Sequence, residues 1–222
     1  MIKIENVDIH GIARAVYSAR NAMNSWDKSD SDLEKDMLGD ADLELAKKLI
    51  KAGTDHSKFM RMITVTFDIT APMYWLKEAA TYKVGTVRNS CSTMHTIHKK
   101  EFTLDDFSHD KLLFTATKSL ERTIKELNEW RDIYLNGGQV QSDIYDTSVY
   151  VFNPKDKMVW WQMIQLLPSS YNQKSTVQLN YAVLRNIYHS RKNHKLDEWK
   201  IFCKWIEEEL PYSELITMEG LE

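Results

Sequence analysis

Cysteine, proline and glycine are all scarce in this chain of 222 residues, which has 2 Cys, 4 Pro and 7 Gly. Cys91 and Cys203 lie far apart with no partner pattern. That excludes a disulfide framework or a zinc knuckle and fits a reducing, cytoplasmic compartment. So few Gly and Pro favour long helices over a many-turned all-β architecture. No stretch approaches the roughly 20 apolar residues that a spanning helix needs. The opening MIKIENVDIHG also lacks an apolar core of signal-peptide length, so a soluble protein without a membrane partner is expected. No block of Lys or Arg forms a nucleic-acid footprint and the net charge is −3, which argues against a polynucleotide partner. A small anionic ligand stays compatible, because one or two Arg in a pocket leave net charge almost untouched.

What is present is the material of a packed domain: 43% hydrophobic and 27% charged residues. With no internal repeat or low-complexity linker, one domain over 1–222 is the simplest expectation. Ile2, Ile4, Val7 and Ile9 alternate imperfectly and predict a first strand that Gly11 closes. A short helical stretch through Arg14 and Arg20 leads into the polar segment NSWDKSDSDLEKD, a loop whose Asp and Ser offer N-caps. Asp40 to Ala52 carries a helical stripe ended by Gly53. Ile63, Val65, Phe67 and Ile69 alternate with Thr64, Thr66 and Asp68, the clearest strand pattern, and Pro72 stands where a helix can begin. The longest helical pattern is Asp110 to Leu135, with Leu113, Leu120, Ile124, Leu127 and Tyr134 near one face and Asn136-Gly137-Gly138 as its stop. The segment onward to Pro154 reads as a loop or small excursion. Lys157 to Leu167 predicts a helix broken by Pro168, and Leu196, Trp199, Phe202, Cys203, Ile206 and Leu210 give a C-terminal helix.

The stretch LLPSSYNQKSTVQLNYAVLRNIYHSRKNHKLDEW carries most of the chemical information. Thr176-Val177 reads as extended. From Asn180 a helix places Leu184, Ile187 and Tyr188 on one side and Arg191 in its last turns, where a cation also complements the macrodipole. Three other features are weighed against plainer readings. His95, His98 and Glu101 have helical spacing, but no further ligand is evident and no metal is expected. Cys91 has no adjacent base and reads as a small buried thiol. Trp160-Trp161 read as core or interface packing.

The C-terminal stretch resembles the signature of the flavin-dependent thymidylate synthases. Leu167-Pro168, Tyr171, Thr176, Asn180, Leu184, Asn186, Arg191, His194 and Glu198 fill that signature in order, with the gap from Arg191 to His194 one residue short. A second stretch, TYKVGTVRNSCSTMH, resembles the family's RHRxxSxNxxSxRY motif: Asn89 and Ser92 reproduce its N-x-x-S core, and His56 stands upstream before the strand. Tyr82-Lys83-Val84 occupy the Arg-His-Arg positions, Val87 replaces the first Ser, Met94-His95 replace Arg-Tyr, and Arg61-Met62 stand where the family has Glu-His. The resemblance covers roughly 53–200, and the chain is also similar to small proteins of firmicute bacteria and their phages.

The resemblance implies an α+β fold of the thymidylate-synthase-complementing-protein type, helix-rich with a small central sheet. It implies FAD as cofactor, dUMP as the pyrimidine-nucleotide partner, methyl transfer to dUMP as the activity, and a homotetramer. Ser92, Arg191 and Asn89 take the substrate positions: Arg191 at the uracil, where a planar permanent cation suits carbonyl oxygens, and Ser92 in the loop for the phosphate. His56, Asn180 and His194 take the flavin positions. Met94 and Ile164 stand where the family has Arg, and each lost charge-assisted bond costs about 1.5–3 kcal/mol of phosphate binding. Lys83 and Arg88 are the nearby cations that could compensate. These departures carry the alternative, a catalytically inactive scaffold that binds nucleotide or protein, in phage-related biology.

Overall fold

The computed structural model describes residues 2–143 and 146–219. In chain order its regular elements are β1 (Lys3–His10), α1 (Ile12–Ala19), α2 (Asp40–Lys51), β2 (Thr64–Pro72), α3 (Met73–Ala79), β3 (Val87–Ser90) and α4 (Thr93–Thr96). Then come α5 (Phe114–Asn136), β4 (Gly138–Asp143), β5 (Asp146–Phe152), α6 (Lys157–Leu166), β6 (Asn172–Asn180), α7 (Tyr181–Arg191), α8 (Asp197–Glu209) and α9 (Glu214–Thr217). Four strands form a sheet in the order β1-β2-β6-β3, and β4 pairs with β5 as a separate hairpin. The described residues divide into two compact units, one of 71–76 and 90–174, the other of 2–70, 77–89 and 175–219.

The second unit holds β1 and most of the sheet. β2 alternates as its sequence predicts, with Val65, Phe67, Ile69 and Ala71 buried. β1 runs antiparallel to it, Ile9 opposite Val65 and Lys3 opposite Thr70, with a register shift between Glu5 and Asp8. Asn6, inside that bulge, takes φ 52° and donates from Nδ2 to Asp68 at 2.9 Å. The bulge is the reason the hydrophobic alternation of β1 is imperfect. Phe67 meets Trp205 and Phe202 of α8 with ring centroids 5.0 and 6.0 Å away. The stripe predicted for α8 is buried at Trp199, Phe202, Cys203 and Ile206, and burial pushes the Cys203 thiol up to about 11.

The polar segment before α2 caps helices as its composition predicts, but not only the one it leads into. Asp36 accepts from the Gly11 and Ala13 amides at 2.8 and 2.7 Å, holding the start of α1. Asp30 accepts from Ala41 and Asp42 at 2.8 and 3.0 Å, holding the start of α2. Gly39 is required between them: a Cβ there would lie 2.2 Å from the Asp30 carboxyl carbon. The inward face of α2 carries Asp42, Ala46 and Ile50. Asp42 is fully buried and accepts from Arg20 Nε at 2.6 Å and from the Ser29 and Ser31 hydroxyls at 2.5 Å. Burial raises its pKa, but Ser29, Ser31 and Arg20 together outweigh that and hold it below the ordinary carboxylate value.

The first unit packs α5 and α6 around Ile97, Phe102, Phe107, Leu120, Ile124, Leu127 and Met163, with Trp160 and Tyr171 partly buried against them. Four expectations are corrected here. The helix predicted from Asp110 begins at Phe114, and Leu113, expected on its inner face, is 79% exposed. The apolar run Leu112-Leu113-Phe114 mimics a helical stripe but precedes the first full turn. The segment before Pro154 pairs as two antiparallel strands, β4 and β5, with a register shift between Gln141 and Asp143 and with residues 144–145 outside the described set. Cys91 is exposed rather than buried. His95, His98 and Glu101 share no helix, because α4 ends at Thr96. His98 packs instead on Tyr134, ring centroids 5.0 Å apart.

Candidate functional site

In the second unit one polar cluster lies at the C-terminal end of α7. Asn180 starts that helix: its side-chain oxygen accepts from the Val183 amide at 3.0 Å. Leu184, Ile187 and Tyr188 are buried as their spacing predicts, which leaves Arg191 in the final turn. The guanidinium donates from Nε to the Tyr82 hydroxyl at 2.8 Å and from Nη1 towards Glu78 Oε2 at 3.5 Å. It lies beside the edge-to-face pair of Tyr82 and Trp199 rings, whose centroids are 5.9 Å apart, its carbon 5.4 and 5.0 Å from them.

Glu78 Oε2 is the hub of this cluster. It accepts the Trp199 indole N–H at 2.9 Å and faces His194 Nε2 at 3.6 Å, besides Arg191. The Leu196 amide donates to His194 Nδ1 at 3.2 Å, which assigns the ring proton to Nε2, towards Glu78. The Arg191 side chain is 21% exposed and that of Glu78 37%. A guanidinium carries five N–H donors. Nη2 is left to offer two of them to a carbonyl or phosphate oxygen beside two aromatic faces, although a carboxylate already sits on the Nη1 edge.

Arg191 and His194, two predicted site residues, are therefore brought together. Asn180 stands at the opposite end of α7, and Gly85, at φ +78°, lies so close that a Cβ would be 3.1 Å from its Nδ2. His56 is exposed, its amide donating to the Gly53 carbonyl at 3.1 Å. Asn89 is exposed on β3 of the same unit. Ser92 belongs to the other unit, where it precedes α4 and its carbonyl accepts from Thr96 Oγ1 at 2.6 Å. Sequence reasoning missed Glu78, and it took Trp199 only as core. Nothing local signals their role, because Glu78 lies 113 residues from Arg191 and 121 from Trp199.

No family model matches the chain, and no curated protein is similar to it in sequence. The fold is that of the flavin-dependent thymidylate synthases: α+β, helix-rich, with a small sheet. The chain is similar to two structures of the Helicobacter pylori enzyme ThyX with FAD and dUMP. One has a TM-score of 0.67 at 16% identity, covering 98% of each chain. The other has 0.68 at 16%, covering 99% of this chain and 98% of that one. It is also similar to a UMP/dUMP methylase, PolB, from Streptomyces cacaoi bound with 5-Br dUMP, with a TM-score of 0.62 at 15% identity over 93% of this chain and 88% of that one.

The residues at the flavin motif do not fit FAD as the family signature would. Of Tyr82, Lys83 and Val84, Tyr82 accepts from Arg191 Nε through its hydroxyl oxygen, Val84 is 86% exposed, and Lys83 is the single cation. Lys83 and Arg88 are both exposed and make no ion pair among the described residues.

Proposed function

We propose that this chain is a ThyX-like protein that binds a pyrimidine nucleotide, dUMP being the first candidate. The observation that carries the reading is Arg191: a half-buried guanidinium beside a pair of aromatic rings, with one donor edge left among the described residues, on a fold shared with proteins solved with dUMP or 5-Br dUMP. On this reading Arg191 donates to the carbonyl oxygens of the pyrimidine and the ring slides against Tyr82 or Trp199. Asn89 and Ser92 are proposed as phosphate donors on the strength of the N-x-x-S motif alone. His56, Asn180 and His194 are proposed for the flavin on the signature alone.

The Glu78 contact and the altered flavin motif favour the second reading for catalysis, a scaffold that keeps nucleotide binding without FAD-dependent methyl transfer. Thermal-shift titration with dUMP, UMP, deoxyuridine and FAD tests both. A ligand that binds the native state alone raises its apparent stability by about 2.7 kcal/mol at a hundredfold excess over Kd. The nucleotide reading expects dUMP to raise the melting temperature. The scaffold reading expects FAD to leave it unchanged and the purified protein to be colourless. A melting temperature indifferent to every pyrimidine nucleotide removes the nucleotide reading.

A further inference from the structure

Two unlike edges stand side by side in the Arg191 cluster, a guanidinium that only donates and a carboxylate that only accepts. The contacts of Glu78 fall on one of its oxygens. Oε2 faces Arg191 Nη1 at 3.5 Å, the Trp199 indole N–H at 2.9 Å and His194 Nε2 at 3.6 Å. Oε1 meets no donor among the described residues, and the side chain is 37% exposed. On Arg191, Nε is committed to the Tyr82 hydroxyl at 2.8 Å and Nη1 to Glu78, while Nη2 has no acceptor among the described residues. Trp199 is 1% exposed and its indole N–H is already taken, so a ligand meets the guanidinium and the carboxylate. Three donors fix the carboxylate through one oxygen and leave the other for a ligand.

Pyrimidine bases differ in what they show to such a pair. Cytosine presents two acceptors, O2 and N3, and then a donor, the N4 amine. Uracil presents acceptor, donor, acceptor: O2, N3–H and O4. A donor edge next to an acceptor matches cytosine at all three positions, with Arg191 donating to O2 and N3 and Glu78 accepting from N4. Carboxylates read cytosine in the major groove of DNA through the same amine. Uracil matches at two positions. With N3–H on Glu78 and one carbonyl on Arg191, its other carbonyl stands on the carboxylate side without a donor, which costs binding. We propose that Glu78 is a specificity-determining residue that makes this site prefer a cytosine nucleotide to a uracil nucleotide. The inference rests on the pyrimidine-nucleotide reading of Arg191 and refines it. Uracil still binds through Arg191, with one charge-assisted bond fewer, so deoxycytidine monophosphate (dCMP) is expected to bind at least about tenfold more tightly than dUMP.

The test is calorimetric titration of the whole chain with dCMP and with dUMP, on the parent and on Glu78→Gln of matched circular dichroism. The three donors that converge on Oε2 fix how a glutamine amide sits: its carbonyl oxygen takes their place and its NH2 takes the position of Oε1. The substitution therefore puts a donor where cytosine needs an acceptor and where uracil O4 accepts. The parent is expected to favour dCMP, and Glu78→Gln to weaken dCMP and strengthen dUMP, a change in their ratio that a merely structural role for Glu78 would not produce. Glu78→Asp keeps the carboxylate and is expected to keep the preference for dCMP. A parent affinity for dUMP that matches or exceeds that for dCMP overturns the proposal and leaves the nucleotide reading standing. A dCMP to dUMP ratio unchanged in Glu78→Gln overturns the role of Glu78. Failure of the parent to bind either nucleotide removes the nucleotide reading and this inference with it.

Discussion

Replacing Glu78 by Gln separates two roles that the geometry allows for that residue. Gln keeps an acceptor for the Trp199 indole, 2.9 Å away, and removes the charge facing Arg191 Nη1 at 3.5 Å. At that distance a pair of unit charges is worth about 1 kcal/mol in water and about 5 kcal/mol at an effective dielectric constant of about 20. The Glu78 side chain is 37% exposed, which places the pair near the lower bound. Taking about 1–2 kcal/mol, a ligand that must share Arg191 with Glu78 gains about 5–30-fold in affinity when the charge is removed. Isothermal titration of dUMP into parent and Glu78→Gln protein reads this directly, and circular dichroism checks the fold. Equal or weaker binding in the variant would refute the competition argument and make Glu78 a residue that aims the guanidinium.

Other predictions concern what holds the second unit together. Asp42→Ala leaves Arg20 buried without its partner and should cost about 3–5 kcal/mol in chemical denaturation, whereas a loss under 1 kcal/mol would contradict the burial account. Because the folded pKa of Asp42 lies below its unfolded value, its contribution is complete above about pH 4 and is lost as pH falls through the folded value. Stability against acid should therefore fall less steeply in Asp42→Asn than in the parent. Asn180→Ala removes the cap on α7 and should cost about 1 kcal/mol by the same denaturation assay, with no change expected if the side chain does not cap in solution.

Much of the second unit is legible in the sequence because its elements are two-faced. The period-two pattern of β2 and the apolar stripe of α8 each fix which side is buried, and Asn180 marks its own helix start. The errors fall where the same residue types serve another purpose. Gln139, Val140, Gln141 and Val149 to Val151 form a hairpin whose apolar residues are largely exposed, so no buried face announces the strands. Leu113 and Phe114 likewise continue a helical stripe in sequence yet stand in solvent. At the candidate site, the C-terminal signature pointed to Arg191 and His194, but the carboxylate that meets them arrives from α3. Charge pairing between distant segments leaves no periodicity to read.

On the proposed reading Arg191 is a ligand-binding cation and not only a charge at the end of a helix. Titrating dUMP into parent and Arg191→Ala protein of matched circular dichroism tests it most directly. The account predicts binding by the parent and a loss of at least about tenfold in the variant. Equal affinities in the two proteins would contradict it.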